Sequence, residues 1–228
     1  MPRDFDLIMF DLDGTLVETA PEIFDAVNDT LHHFDLPLVA QPQVERWIGY
    51  GTRELMVQAL AHAQDIAVAA VRASEQLALI WAEFDRCYDI RCGTRSKTYA
   101  HVPEVLQVLH ERGVRLAVVT NKESRYTQRV LDAHRLEATF DRVISGDTQA
   151  TKKPDASGVL SCLHEFNVTA ERALFVGDSS IDAATARNAG VAVWLVPYGY
   201  NMGQPIEACR PDRVITDFSA LIAESDTV

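Results

Sequence analysis

The feature that most limits how this chain can fold is a spacing. An apolar run from Phe5 to Phe10 stops at Asp11, and the next comparable run, Val114 to Val119, begins roughly a hundred residues later. Short β-rich apolar runs closed by polar residues read as strands of a parallel sheet. Further runs follow at Arg142 to Ile144, Ala173 to Val176 and Val191 to Val196, with Val214-Ile215 as an edge strand. Helical patterns alternate with them, which points to a parallel sheet with helical crossovers. One crossover needs one helix, so the first interval holds something more.

Helical patterns fill it. Thr19 and Glu22 have capping-box spacing, and Ile23, Ala26, Val27, Thr30, Leu31 and Phe34 recur behind them at helical intervals. Leu55, Met56, Ala59 and Leu60 form a second stripe. Val71, Ser74, Leu77, Ala78, Trp81 and Phe84 form a third. A helix from Pro103 to Arg112, with Gly113 just past its end, leads back into the second strand. The expected fold class is α/β. A Rossmann-like parallel sheet core (residues 1–17 and 94–228) would carry an inserted all-helical domain (residues 18–93).

In open α/β sheets, ligands bind at the carboxyl ends of the strands. Three polar clusters fall there: Asp11 to Thr15, Thr120-Asn121-Lys122, and Gly177-Asp178-Ser179 with Asp182 behind it. Carboxylates gathered so closely repel one another. A hard divalent cation resolves this, and Mg²⁺ takes oxygen ligands from one or two carboxylates plus water and phosphate. Asp11, held at a strand end, could attack phosphorus. Asp13 could protonate the leaving oxygen and later take the proton of a water.

The formal net charge of −12 argues against nucleic acid or an anionic membrane as partner, since both reward clustered Lys and Arg. Cys87, Cys92, Cys162 and Cys209 show no metal spacing and read as reduced thiols, and the seven histidines as surface or structural residues. No apolar run approaches the length of a membrane span and no signal peptide is evident, so a cytoplasmic location is expected.

The string Asp11-Leu12-Asp13-Gly14-Thr15-Leu16 resembles the first motif of the haloacid dehalogenase-like hydrolase superfamily. Val118-Val119-Thr120-Asn121, Lys152-Lys153-Pro154 and Gly177-Asp178-Ser179-Ser180-Ile181-Asp182 are similar to its later motifs, in order, over essentially the whole chain. The resemblance implies that Asp11 is nucleophile and metal ligand, and that Asp13 is the general acid/base and lends its backbone carbonyl to the metal. It implies Asp178 as the remaining metal ligand, Mg²⁺ as cofactor, and Asp182 as a residue that orients the others. It implies Thr120 and Asn121 as phosphoryl-binding residues and Lys153 as the catalytic lysine, the Lys-Pro step favouring it while its neighbour Lys152 stays open. Asp13 favours phosphate over halide chemistry, because a leaving halide needs no proton. The inserted helices resemble the family's all-helical cap, with hinges at Val17 to Thr19 and Gly93-Thr94. Such caps imply a small phosphorylated metabolite as partner, handled by a monomer or homodimer.

Two segments narrow the resemblance. Trp47-Ile48-Gly49-Tyr50-Gly51 with Leu55-Met56, and Tyr198-Gly199-Tyr200-Asn201, are similar to loops of phosphoglycolate phosphatases, which makes 2-phosphoglycolate the expected substrate. The chain departs from that pattern at Tyr50, Thr52, Arg53, Glu123 and Asp155-Ala156. Arg53 is a lone cation beside two glycines, and a guanidinium can bind a carboxylate through two hydrogen bonds. It is therefore a candidate reader of a substrate carboxylate. The open alternatives are a sugar phosphate, nucleotide or pyrophosphate as substrate, a sugar-phosphate mutase, and, outside enzymes, a receiver-like signalling module phosphorylated on Asp11.

Overall fold

A computed structural model describes residues 5–223. The strands are β1 (Leu7–Phe10), β2 (Val17–Glu18), β3 (Lys97–Thr98), β4 (Arg115–Val119), β5 (Arg142–Ile144), β6 (Ala173–Gly177), β7 (Ala192–Leu195) and β8 (Arg213–Val214). Six of them form one sheet in the order β5-β4-β1-β6-β7-β8, parallel throughout. β1 is central. The chain leaves it toward β4 and β5 on one side, then returns to β6 on the other. The crevice at this reversal of strand order lies above the ends of β4, β1 and β6, where ligands bind in sheets of this kind.

The sheet is buried on both faces, which explains why its central strands read as continuous apolar runs. Successive side chains alternate between the faces. Leu7, Met9, Ala117, Val119 and Phe175 pack with the face that carries α8 (Ser157–Phe166) and α9 (Ser180–Ala189). Ile8, Phe10, Leu116, Val118, Leu174 and Val176 join the opposite cluster with α6 (Val102–Glu111), whose Val102, Val105, Leu106 and Leu109 are buried. α7 (Ser124–Ala133) connects β4 to β5.

Between β2 and β3 lie five helices: α1 (Ala20–His33), α2 (Gln41–Glu45), α3 (Thr52–Gln64), α4 (Val68–Arg72) and α5 (Leu77–Arg91). β2 and β3 pair antiparallel, so the outgoing and returning passages of the chain lie side by side. α1 and α5 pack along each other, and their buried faces merge with the same core cluster as the sheet. The stripe from Val71 to Phe84 is not one helix. The chain turns at Ser74, whose Oγ accepts from Gln76 N at 3.3 Å and whose carbonyl accepts from Leu77 N. A hydroxyl that offers the backbone a local partner competes with the helix there.

The capping box expected at Thr19 and Glu22 is also absent. Thr19 sits at the N-cap with helical backbone angles and no capping bond. Its hydroxyl donates instead to Asp13 Oδ1 at 2.7 Å. Glu22 Oε2 accepts from the backbone N–H groups of Gly93, Arg95 and Ser96, on the returning passage. Both side chains took tertiary partners over the local one.

Candidate active site

Asp11 begins where β1 ends, and its N–H donates to Val176 O on the neighbouring strand. The next residues turn sharply back, with Gly14 N donating to Val17 O and Val17 N to Leu12 O. Gly14 adopts φ +86°, and a Cβ on it would stand 2.3 Å from Asp178 Oδ2. Glycine is required there on both counts. The turn brings Thr15 Oγ1 within 3.0 Å of Asp178 Oδ1 as its donor.

Thr120 and Lys153 arrive from the other side of β1. Thr120 follows β4, is buried, and its hydroxyl oxygen accepts from Lys122 N at 3.3 Å. Lys153 Nζ lies 2.8 Å from Asp11 Oδ1 and 2.7 Å from Asp182 Oδ1. Of the two adjacent lysines, Lys152 is exposed and Lys153 is buried. A cis peptide joins Lys153 to Pro154.

Asn121 holds these parts in register. Its Nδ2 donates to the carbonyls of Gly49 and Lys153, and its Oδ1 accepts from Lys153 N. With both ends of its amide bound to backbone, Asn121 ties the Gly49 loop and the Lys153 loop together beneath the cleft.

Asp182 is fully committed. Oδ1 takes Lys153, while Oδ2 accepts from Asp178 N, Ser179 N and Ser179 Oγ. Ser179 and Asp182 form the capping box that starts α9. That pairing was readable from the Ser-x-x-Asp spacing. Asp178 is braced by Thr15 and by Tyr200 N, which donates to Oδ2 at 2.5 Å. Tyr200 OH in turn accepts from Ala20 N at the start of α1.

The electrostatics are unbalanced. Burial pushes the Asp11 carboxyl up to about 6, opposed by Lys153 and reinforced by Asp182 and Asp13. Burial, then the charges of Asp182 and Asp11, holds Asp178 well above the usual carboxylate range. Burial alone would lower Lys153, but Asp11 and Asp182 keep it above its ordinary value. Acidic oxygens of Asp11, Asp178 and Asp182 lie within 4.8 Å of one another. Asp11 Oδ1 is buried and, despite the nearby ammonium, receives no well-directed hydrogen bond. Three buried carboxyls crowded about a single ammonium suit a hard cation. Asp182 is the most heavily engaged of the three, with Lys153 on Oδ1 and three donors on Oδ2, whereas each Asp178 oxygen has one donor.

Asp13 lines the same cleft as Asp11, Thr120, Asn121 and Lys122, opposite Ile23 of α1, Ile48, Gly49 and Gly51 of the loop before α3, and Thr52 and Leu55 of α3. Its carboxyl is gripped by Lys122 Nζ, at 3.0 Å to Oδ1 and 3.1 Å to Oδ2. The sequence placed Lys122 in a strand-end cluster but gave it no role of its own. Only its burial beside Asp13 sets it apart, and no local pattern encodes that. Arg53 is not brought to the cleft. Its guanidinium pairs with Asp85 at 2.6 Å, donates to Trp81 O and lies over the Trp81 ring. At this position Thr52 faces the cleft instead, its hydroxyl donating to Glu123.

A central-strand carboxylate thus stands beside a buried lysine and two further carboxyls, under a helical insertion. The family profile described as "Haloacid dehalogenase-like hydrolase" matches residues 8–196, and the chain belongs to that family. A phosphoglycolate phosphatase of Aliivibrio fischeri is 37% identical over 223 residues, covering 98% of this chain and 97% of that protein. One of Vibrio cholerae is 36% identical over 220 residues, covering 96% of each. Among solved structures, a predicted phosphoglycolate phosphatase from Haemophilus somnus superposes with a TM-score of 0.91 at 32% identity, covering 97% of this chain and 98% of that one. Among the described residues no helix is long and apolar enough to cross a membrane.

Proposed function

We propose that the chain is a Mg²⁺-dependent phosphatase that hydrolyses a small phosphomonoester, 2-phosphoglycolate, through an aspartyl-phosphate on Asp11. The observation that carries this reading is Asp11 itself: a buried strand-end carboxyl, 2.8 Å from Lys153, with Asp13 opening on the same cleft. In the first step an Asp11 oxygen attacks phosphorus, and the bond from phosphorus to the ester oxygen breaks. The departing oxygen takes a proton from Asp13 and leaves as an alcohol. In the second step a water oxygen attacks phosphorus and gives its proton to Asp13. The bond to Asp11 breaks, and inorganic phosphate departs.

The remaining residues position charge rather than exchange bonds. The Thr120 hydroxyl can donate to a phosphoryl oxygen, and Lys153 offsets the charge gathered on Asp11 and the phosphoryl group. Asp11, Asp178 and the Asp13 carbonyl would hold Mg²⁺, which when bound supplies positive charge to the phosphoryl oxygens and relieves the carboxyl crowding. Residues 18–93 act as a cap whose Ile23, Ile48 and Leu55 shield the cleft from bulk water. The names of full-length relatives support 2-phosphoglycolate as the substrate.

The test is kcat/KM for purified protein with Mg²⁺ across 2-phosphoglycolate, sugar phosphates, nucleotides and pyrophosphate. The reading expects 2-phosphoglycolate to lead the panel, free phosphate as product, and loss of activity with EDTA. Preference for another ester would overturn the substrate. Full activity after chelation would overturn the metal.

A further inference from the structure

Lys122 is a cation whose donors are all spent inside the protein. Its side chain is only 1% exposed. Nζ reaches both oxygens of Asp13 and, at 2.6 Å, the hydroxyl of Tyr88. Tyr88 lies on α5 of the inserted helices and is fully buried. Its ring also stands 5.0 Å from Nζ and 4.4 Å from the ring of Tyr126 on α7. An ammonium has three protons, and three acceptor atoms surround this one. Nothing is left over with which to bind substrate.

Burial of a lysine is costly unless it is paired and hydrogen-bonded. A carboxylate held at both oxygens cannot swing about its side-chain torsions, whereas one held by a single hydroxyl can. We infer that Lys122 and Tyr88 are positioning residues for Asp13. Tyr88 fixes the ammonium from the cap side, and the ammonium fixes the acid/base carboxyl against the bond to be cleaved. The alignment of the acid/base then depends on α5 being docked as it is here. This inference rests on the reading of Asp13 as proton donor and acceptor.

The chemistry gives a signature that mere destabilisation would not. A poor leaving group, such as the alkoxide of 2-phosphoglycolate or glycerol phosphate, needs a proton; p-nitrophenolate does not. Misplacing Asp13 should therefore slow Asp11 phosphorylation by alkyl phosphates and spare it with p-nitrophenyl phosphate. Breakdown of the aspartyl-phosphate, which needs Asp13 as base, should slow with either.

The experiment compares the parent protein with Lys122→Met, Tyr88→Phe, Asp13→Asn and the Asp13→Asn/Lys122→Met double variant by rapid mixing. For Lys122→Met the expected result is a loss of about 100-fold in kcat on alkyl phosphates, within the range of general acid–base contributions. The p-nitrophenolate burst should stay within about threefold of the parent, followed by slowed turnover. Tyr88→Phe keeps the ring and its packing, and should show the same pattern at about 5- to 20-fold. The double variant should be no slower than Asp13→Asn alone, because residues acting as one unit are not additive. Equal losses in the burst and in alkyl turnover, or additive losses in the double variant, would overturn the inference. If 2-phosphoglycolate proves not to be the substrate, the same split is read on whichever alkyl phosphate is hydrolysed, so failure of the substrate reading stays distinct.

Discussion

Replacing Glu22 tests how the inserted helices are moored. Its Oε2 accepts from Gly93 N at 2.9 Å, Ser96 N at 3.0 Å and Arg95 N at 3.3 Å, across more than seventy residues of chain. Its Oε1 is buried with no hydrogen-bond partner among the described residues. Glu22→Ala removes all three bonds and leaves the buried Ser96 N–H without an acceptor. At about 1 kcal/mol per bond, and more for the orphaned donor, the loss is about 3–5 kcal/mol. For a chain of this size that is a fall in Tm of about 6–20 °C. Glu22→Gln keeps one carbonyl oxygen for the three donors and turns its amide toward the unpartnered side, so it should cost less than about 1 kcal/mol. Denaturant unfolding gives the two losses, and hydrogen exchange at Gly93, Arg95 and Ser96 localises them. If Gln costs as much as Ala, or Ala costs less than about 1 kcal/mol, the mooring argument is wrong.

A Cβ at Gly199 would stand 2.3 Å from Asp178 Oδ2 and 2.4 Å from Gly14 O, so Gly199→Ala must displace the carboxyl assigned to the metal. Activity should fall about 100-fold, with a higher Mg²⁺ requirement, since a shift of about 1 Å has that cost. Gly113→Ala is the contrasting case: its Cβ meets open space but its φ of +76° strains an alanine, so it should lower stability and leave kcat/KM unchanged. The His134 ring, 3.0 Å from Ser96 Oγ, has its pKa lowered from 6.5 by burial, with Glu22 opposing. The folded state therefore binds its proton less readily than the unfolded state. Its contribution is complete above pH 6.5 and declines as pH falls below that value. Thermal unfolding of His134→Gln across that range should show a weaker pH dependence than the parent; an unchanged slope would contradict the assignment.

How far the sequence carried the fold depended on where each side chain finds its partner. The central strands β1, β4 and β6 were legible because parallel strands buried on both faces are apolar almost throughout, while the edge strands β5 and β8 start at exposed arginines. Asp11, Thr120 and Asp178 were legible because they end adjacent strands, and the chain's order alone puts them at one edge. Thr19 and Glu22 carried a local capping pattern, but Asp13 and the Gly93 to Ser96 passage offered partners the pattern does not contain. Arg53 looked free only because Asp85 is distant in sequence, within α5 and 32 residues away. Lys122 was hidden in the opposite way. The sequence places it in a polar cluster with Thr120 and Asn121, and its burial between Asp13 and Tyr88 of α5 depends on parts of the chain far away.

The most direct test of the central claim is whether Asp11 carries the phosphoryl group. Protein mixed with 2-phosphoglycolate and Mg²⁺, quenched in acid within one turnover and digested, should yield the peptide containing Asp11 heavier by one phosphoryl group. Asp13→Asn should accumulate more of it when p-nitrophenyl phosphate is the donor, and Asp11→Asn should show none and release no phosphate. Phosphate release by Asp11→Asn near the parent rate, or a label on any other residue, would contradict the account.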